Sequence, residues 1–226
     1  VVPRARADHI LVSNAGAPPR KVALPAPLSA APQAWGDDLL VPCEDGLIHL
    51  IDPETGSPRA DPYVPPFDRT RPTRWLSPAV LSGEAAALLD DGGRLRRIVR
   101  RDSPRPRLEA EGEPIDLGSE PLAPPIALAG AVLVATADGK VRSLATRDFG
   151  PVGAWDLAAP LALGPAAVGE FAVVADVAGN VHAFGPDGQR AWTAALGGSP
   201  PSGPPDEREG GLWFLDRDGT LHGLSL

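Results

Sequence analysis

Three of the chain's four histidines, His49, His182 and His222, stand at one fixed place in a recurring hexapeptide, where the other copies carry Arg96 and Arg142. A repeated imidazole column invites a zinc reading, but zinc draws all its ligands to about 2 Å from one ion. Equivalent positions in successive repeats are a whole unit apart, so the column does not converge and no metal ligand is assigned. A partly buried polar residue, hydrogen-bonded between neighbouring repeats, is the expected role. Asp216-Arg217-Asp218-Gly219 opens like a calcium loop, Asp-x-Asp-Gly, yet no acid stands at the twelfth position. A hairpin turn accounts for it.

Seven arginines fall within fourteen residues: Arg94, Arg96, Arg97, Arg100, Arg101, Arg105 and Arg107. Guanidinium forks grip carboxylate and phosphate bidentately, which makes this stretch the candidate anion or partner patch. Glu109, Glu111, Glu113 and Asp116 follow directly. A solvated hairpin that these acids neutralise is the competing reading. Cys43 is the only cysteine, so no intramolecular disulfide forms, and it reads as a small apolar filler on a strand. The five tryptophans, Trp35, Trp75, Trp155, Trp192 and Trp213, occupy different repeat positions and read as packing. Phosphate loops, nucleophile elbows, Cys-x-x-Cys pairs and His-Glu-x-x-His motifs are absent, so no catalytic or cofactor-binding residue is assigned.

The elements that position these residues follow from self-alignment. The pattern Gly-x-aliphatic-His/Arg-x-Ile/Leu/Phe starts at Gly46, Gly93, Gly139, Gly179 and Gly219, at spacings of 47, 46, 40 and 40 residues. Six residues before each glycine lie Leu40, Ala87, Leu133, Val173 and Trp213, inside short apolar runs. A proline precedes each glycine by fourteen or fifteen residues: Pro32, Pro78, Pro125, Pro165 and Pro205. Periods of about 40–50 residues mark propeller blades. Asp45-Gly46, Asp138-Gly139 and Asp218-Gly219 predict two-residue type I′ hairpins; Asp91-Gly92-Gly93 looks one residue longer. Central strands without polar alternation predict sheets buried on both faces.

Composition agrees with this reading. Hydrophobic residues make up 43%, which places the chain among globular proteins, while 25 glycines and 28 prolines at regular intervals imply many turns. A net charge of −8 stands against a general nucleic-acid binder. No apolar run is long enough for a membrane helix, the Leu122–Ala137 stretch being broken by Pro124, Pro125 and Gly130. The chain begins Val1-Val2-Pro3 and contains no methionine, from which a processed protein or a fragment of a longer one is expected.

The unit of apolar strand, Asp-Gly, aliphatic-x-x-aliphatic, then Asp52-Pro53-Glu54-Thr55-Gly56 and a tryptophan strand such as Arg190-Ala191-Trp192-Thr193, resembles the PQQ-like β-propeller repeat. The resemblance covers residues 26–226 and implies an all-β propeller of four-stranded antiparallel blades. Units are expected at 26–66, 72–116, 119–157, 158–196 and 198–226, with 1–25 as outer strands of an incomplete or ring-closing blade. A closed five-bladed ring and part of a seven- or eight-bladed one both remain open. The repeat occurs in quinoprotein dehydrogenases and in non-enzymatic lipoproteins of outer-membrane assembly. The latter imply a scaffold or protein-interaction module, with a protein partner, no cofactor, and a bacterial periplasmic or extracytoplasmic location. The alternatives are a quinoprotein oxidoreductase fragment using pyrroloquinoline quinone and calcium, or a ligand-sensing propeller of a larger membrane or signalling protein. Enzymatic activity is left open, with the missing vicinal cysteine pair standing against it.

Overall fold

A computed structural model describes residues 8–12, 18–66, 73–82, 84–208 and 210–225. Every regular element among them is a β-strand. In the first of two compact units, Val1–Ile115, these are β1 (His9–Val12), β2 (Arg20–Ala23), β3 (Gln33–Trp35), β4 (Asp38–Pro42), β5 (Ile48–Ile51), β6 (Ala79–Ser82), β7 (Ala85–Leu89), β8 (Arg94–Arg101) and β9 (Arg107–Asp116), whose last residue crosses the boundary. The second unit, Asp116–Leu226, carries β10 (Ile126–Ala127), β11 (Ala131–Ala135), β12 (Lys140–Ala145), β13 (Pro151–Asp156), β14 (Leu161–Val168), β15 (Phe171–Asp176), β16 (Asn180–Phe184), β17 (Arg190–Ala195), β18 (Asp206–Arg208), β19 (Gly211–Leu215) and β20 (Leu221–Ser225). No helix is long and apolar enough to cross a membrane.

In the first unit β1 pairs with β2, β3-β4-β5 form a three-stranded sheet, and β6-β7-β8-β9 form a four-stranded one. Bridges from Ile48 to Tyr63 and from Ile51 to Pro58 fill the fourth place beside β5. The second unit has two four-stranded sheets, β10-β11-β12-β13 and β14-β15-β16-β17, and the three-stranded β18-β19-β20. Neighbouring strands pair antiparallel, as in β1-β2, β4-β5, β7-β8, β11-β12, β15-β16 and β19-β20.

Side-chain alternation explains why the central strands read as unbroken apolar runs. In β15, Ala172 and Val174 join Leu133, Val141 and Phe184 in one core, while Val173 and Ala175 join Leu212 and Phe214 in another. Odd and even residues thus face different neighbouring sheets, and neither face is left for polar groups. In the first unit Leu40, Ile48 and Leu50 pack likewise against Ala86, Leu88 and Ile98. Each large aliphatic side chain so buried contributes about 1.5–3 kcal/mol. Pro165 sits inside β14 where the register shifts between Leu163 and Ala166, and a bulge is one of the few places a sheet tolerates proline.

The turns correct one expectation. Gly46, Gly93, Gly139, Gly179 and Gly219 are equivalent, with φ between +82° and +96°. Each glycine N–H donates to the carbonyl three residues back, that of Cys43, Asp90, Thr136, Asp176 or Asp216, at 3.0–3.2 Å. None of Asp45, Asp138 and Asp218 has positive φ. A type I′ turn needs positive φ at both central residues, so these are instead three-residue type I loops closed by a glycine bulge. In the second repeat Gly92 simply takes the aspartate's place, so Asp91-Gly92-Gly93 is no longer than the others.

Candidate functional site

The polar residues of the repeat gather around these hairpins. A residue two positions beyond the loop-closing pair lies on the same sheet face, as the partners Asp216↔Thr220 and Phe214↔His222 require for His222 and Asp216. Asp216 Oδ1 accepts the N–H groups of Asp218 at 2.9 Å and Thr220 at 2.7 Å, and its Oδ2 meets His222 Nε2 at 2.9 Å. Those contacts, His222 foremost, hold its carboxyl below the usual 3.8. Asp90 repeats the arrangement, taking the N–H of Gly92 and of Arg94 on Oδ1 and the Arg96 guanidinium on Oδ2 at 2.8 Å. Asp176 does so with Ala178 and Asn180, and Asn180 Nδ2 donates to its Oδ2 at 2.8 Å.

Two hairpins depart from this pattern. Thr136 replaces the aspartate in the third repeat and donates to Asp138 Oδ1 at 2.6 Å. Lys140 binds the other oxygen at 2.7 Å, and together they lower the Asp138 carboxyl to about 2. Arg142 there donates to the carbonyls of Asp116 at 3.0 Å and Leu117 at 3.3 Å. Cys43 replaces the aspartate in the first repeat; its thiol donates to the Ala26 carbonyl at 3.4 Å, and burial pushes it up to about 11. His49 turns to Asp45, with 3.4 Å between Nε2 and Oδ2.

His49, Arg96 and His222 are therefore used within their own hairpins, rather than bridging repeats as expected, while Arg142 reaches back to the preceding segment and His182 meets Thr193 on the neighbouring strand β17. The overlooked partner is the aspartate three residues before the glycine. Asp90, Asp176 and Asp216 share that place in the sequence, but Cys43 and Thr136 interrupt the column.

His182 has a testable consequence. Its Nδ1 lies 3.2 Å from Thr193 Oγ1, while Nε2 is buried, unbonded and 3.8 Å from Asp176 Oδ2. Burial, only partly offset by Asp176, pushes its pKa below the ordinary 6.5. The unfolded chain then takes up the proton first, so stability falls as the pH drops through 6.5 towards the folded value. Denaturation midpoints measured from about pH 8 to about pH 5 are expected to decline in the parent and to lose much of that slope in His182→Asn.

The arginine stretch spans β8 and β9 and is laced with acids. Arg96 is buried, salt-bridged to Asp90, with its guanidinium carbon 5.5 Å from the Trp75 ring centroid. Trp75 Nε1 in turn donates to the Gly46 carbonyl at 2.7 Å, linking neighbouring hairpins of the first unit. Arg97 and Arg101 both reach Glu111, the latter at 2.7 Å. Arg100 meets Asp102 at 2.8 Å and Asp38 at 3.4 Å, Arg105 meets Asp61 at 2.7 Å, and Arg107 meets Glu109 at 2.9 Å. Arg94 is exposed and gives its backbone N–H to Asp90. Exposed pairs of this kind contribute only about 0–1 kcal/mol each.

A different surface lies on the last sheet. Trp213, Leu215 and Leu221 share one face and are 40%, 51% and 60% exposed. With Pro204, Asp206 and Arg208 they line a cavity of about 470 Å³. Leu224, on the opposite face, joins Phe171 and Trp192 in lining a second cavity of about 510 Å³. β20 stands between the two, and among the described residues β19 is its only ladder partner.

No family model matches the chain, and no curated protein matches it. Solved structures do. BamB from Moraxella catarrhalis superposes with a TM-score of 0.51 at 18% identity, over 98% of this chain and 80% of that one. BBS1N, solved in complex with ARL6DN, gives 0.67 at 17% identity, over 98% and 72%. The computationally designed protein Ika8 gives 0.50 at 10% identity, over 92% and 74%. At these identities the likeness concerns the fold alone, and that fold is the all-β propeller.

Proposed function

We propose that the chain is a non-catalytic β-propeller interaction module of the PQQ-like repeat type, which receives an extended segment of a protein partner along β20. The carrying observation is that, among the described residues, β20 has β19 as its only ladder partner and a cavity on each face of the sheet. In the two four-stranded sheets of the same unit, β13 and β17 fill the corresponding place, and their Trp155 and Trp192 pack into apolar cores. An added strand alternates its side chains between the two faces, so successive residues would enter the two cavities in turn. Main-chain hydrogen bonds give such strand addition its affinity and the pockets its specificity. That BBS1N was solved with a protein bound supports a protein partner. The repeat's resemblance to outer-membrane assembly propellers supports an extracytoplasmic site of action.

A synthetic peptide of residues 187–196, containing the β17 sequence, is a ready probe. It is expected to slow hydrogen exchange at alternate amides of β20, and Leu221→Asp is expected to abolish the effect. Unchanged β20 exchange at saturating peptide would reject the reading. The exposed position of Leu221 keeps the substitution within about 0.5 kcal/mol of neutral for the fold.

A further inference from the structure

Cys43 departs from its repeat column in a way that changes chemistry as well as packing. At the matching place Asp90, Asp176 and Asp216 use a carboxylate oxygen to satisfy the N–H groups of their own turns. A thiol does this poorly, and in the first hairpin Asp45 Oδ1 accepts the Leu47 N–H at 2.9 Å instead. That contact orients the Asp45 side chain, leaving Oδ2 toward His49. The outcome is one sulfur, one carboxylate oxygen and one imidazole nitrogen, all within 4.8 Å of one another. Among the described residues this is the only such gathering of three or more potential metal ligands.

We propose that Cys43 Sγ, Asp45 Oδ2 and the His49 imidazole form a binding site for one zinc-class divalent cation, with water as the fourth ligand. Ligand atoms at 2.0–2.3 Å from a tetrahedral ion lie roughly 3.5 Å apart. The His49–Asp45 separation is already 3.4 Å, so the site closes by small side-chain rotations. Thiolate with imidazole selects zinc or cobalt over magnesium and calcium, which take oxygen ligands. Binding replaces the thiol S–H by a sulfur–metal bond and releases its proton to water. The three ligands lie within seven residues of one hairpin whose turn is held by Gly46, and the Trp75 indole fastens the Gly46 carbonyl from the next sheet. The scaffold is therefore fixed before the ion arrives. The site is independent of the β20 edge.

Titration of the metal-free full chain with Co²⁺ tests this directly. One equivalent is expected to produce a sulfur-to-cobalt charge-transfer band that Zn²⁺ displaces. Cys43→Ala is expected to remove the band. Asp45→Asn and His49→Ala keep the sulfur, and each should weaken Zn²⁺ binding at least about tenfold in calorimetry. Circular dichroism of each variant checks the fold, and Asp45→Asn, altering an exposed side chain, preserves the test if Cys43→Ala unfolds. A parent without the band, or Zn²⁺ affinity unchanged across folded variants, overturns the site.

Discussion

Gly139→Ala is expected to destabilise the second unit by roughly 2–5 kcal/mol, well beyond the same change at Gly219. Both glycines have left-handed backbones, φ +96° and +84°, and an L side chain there costs about 1–2 kcal/mol wherever it occurs. The difference lies in what the new methyl meets. At Gly139 it would stand 2.2 Å from the backbone oxygen of Ala159, whose segment crosses over the turn, while at Gly219 nothing lies within 4 Å. The Gly139 carbonyl also accepts the Leu157 N–H at 3.0 Å, so the crossing segment cannot withdraw without losing that bond. Forced overpacking adds about 1–3 kcal/mol. Gly179, whose nearest neighbour would be a carbonyl oxygen at 3.0 Å, should fall between the two. Urea midpoints at constant m-value read the series, and equal losses at Gly139 and Gly219 would refute the crossing.

The second large effect concerns Arg96. Substitution by methionine keeps much of the stem's volume but leaves Asp90 buried without its cation; both side chains are only 8% exposed. Breaking such a pair costs about 3–5 kcal/mol. Arg94→Gln, at an exposed position, is expected to change stability by less than about 0.5 kcal/mol. Charge reversal across Arg96, Arg97 and Arg100 would therefore report mainly on folding. Any trial of this stretch as an anion patch belongs on Arg94, Arg101 and Arg105.

These residues show what was legible in the sequence. The five glycines could be aligned because the left-handed turn position excludes nearly every other residue, and the apolar strands because burial on both faces removes polar alternation. The turn type was not legible from Asp-Gly alone, since the same dipeptide ends a type I turn with a glycine bulge. Nor was the pairing of Asp90 with Arg96, because it depends on register across the loop and is broken in the repeats that begin their turns with Cys43 and Thr136. In the sequence Cys43, Asp45 and His49 read separately, as filler, turn and column residue. Only the hairpin's curvature brings their tips together. Which side chains flank β20 was not legible either, because Leu224 and Trp192 come together only once the sheets pack.

The repeat's charged residues chiefly hold its own hairpins, as Asp90 and Arg96 do. A double-mutant cycle on Asp90→Asn and Arg96→Met measures this most directly. Each single change is expected to be costly while the double variant regains much of the loss, giving a coupling above about 1 kcal/mol. Additive losses, with no coupling between the two positions, would contradict it.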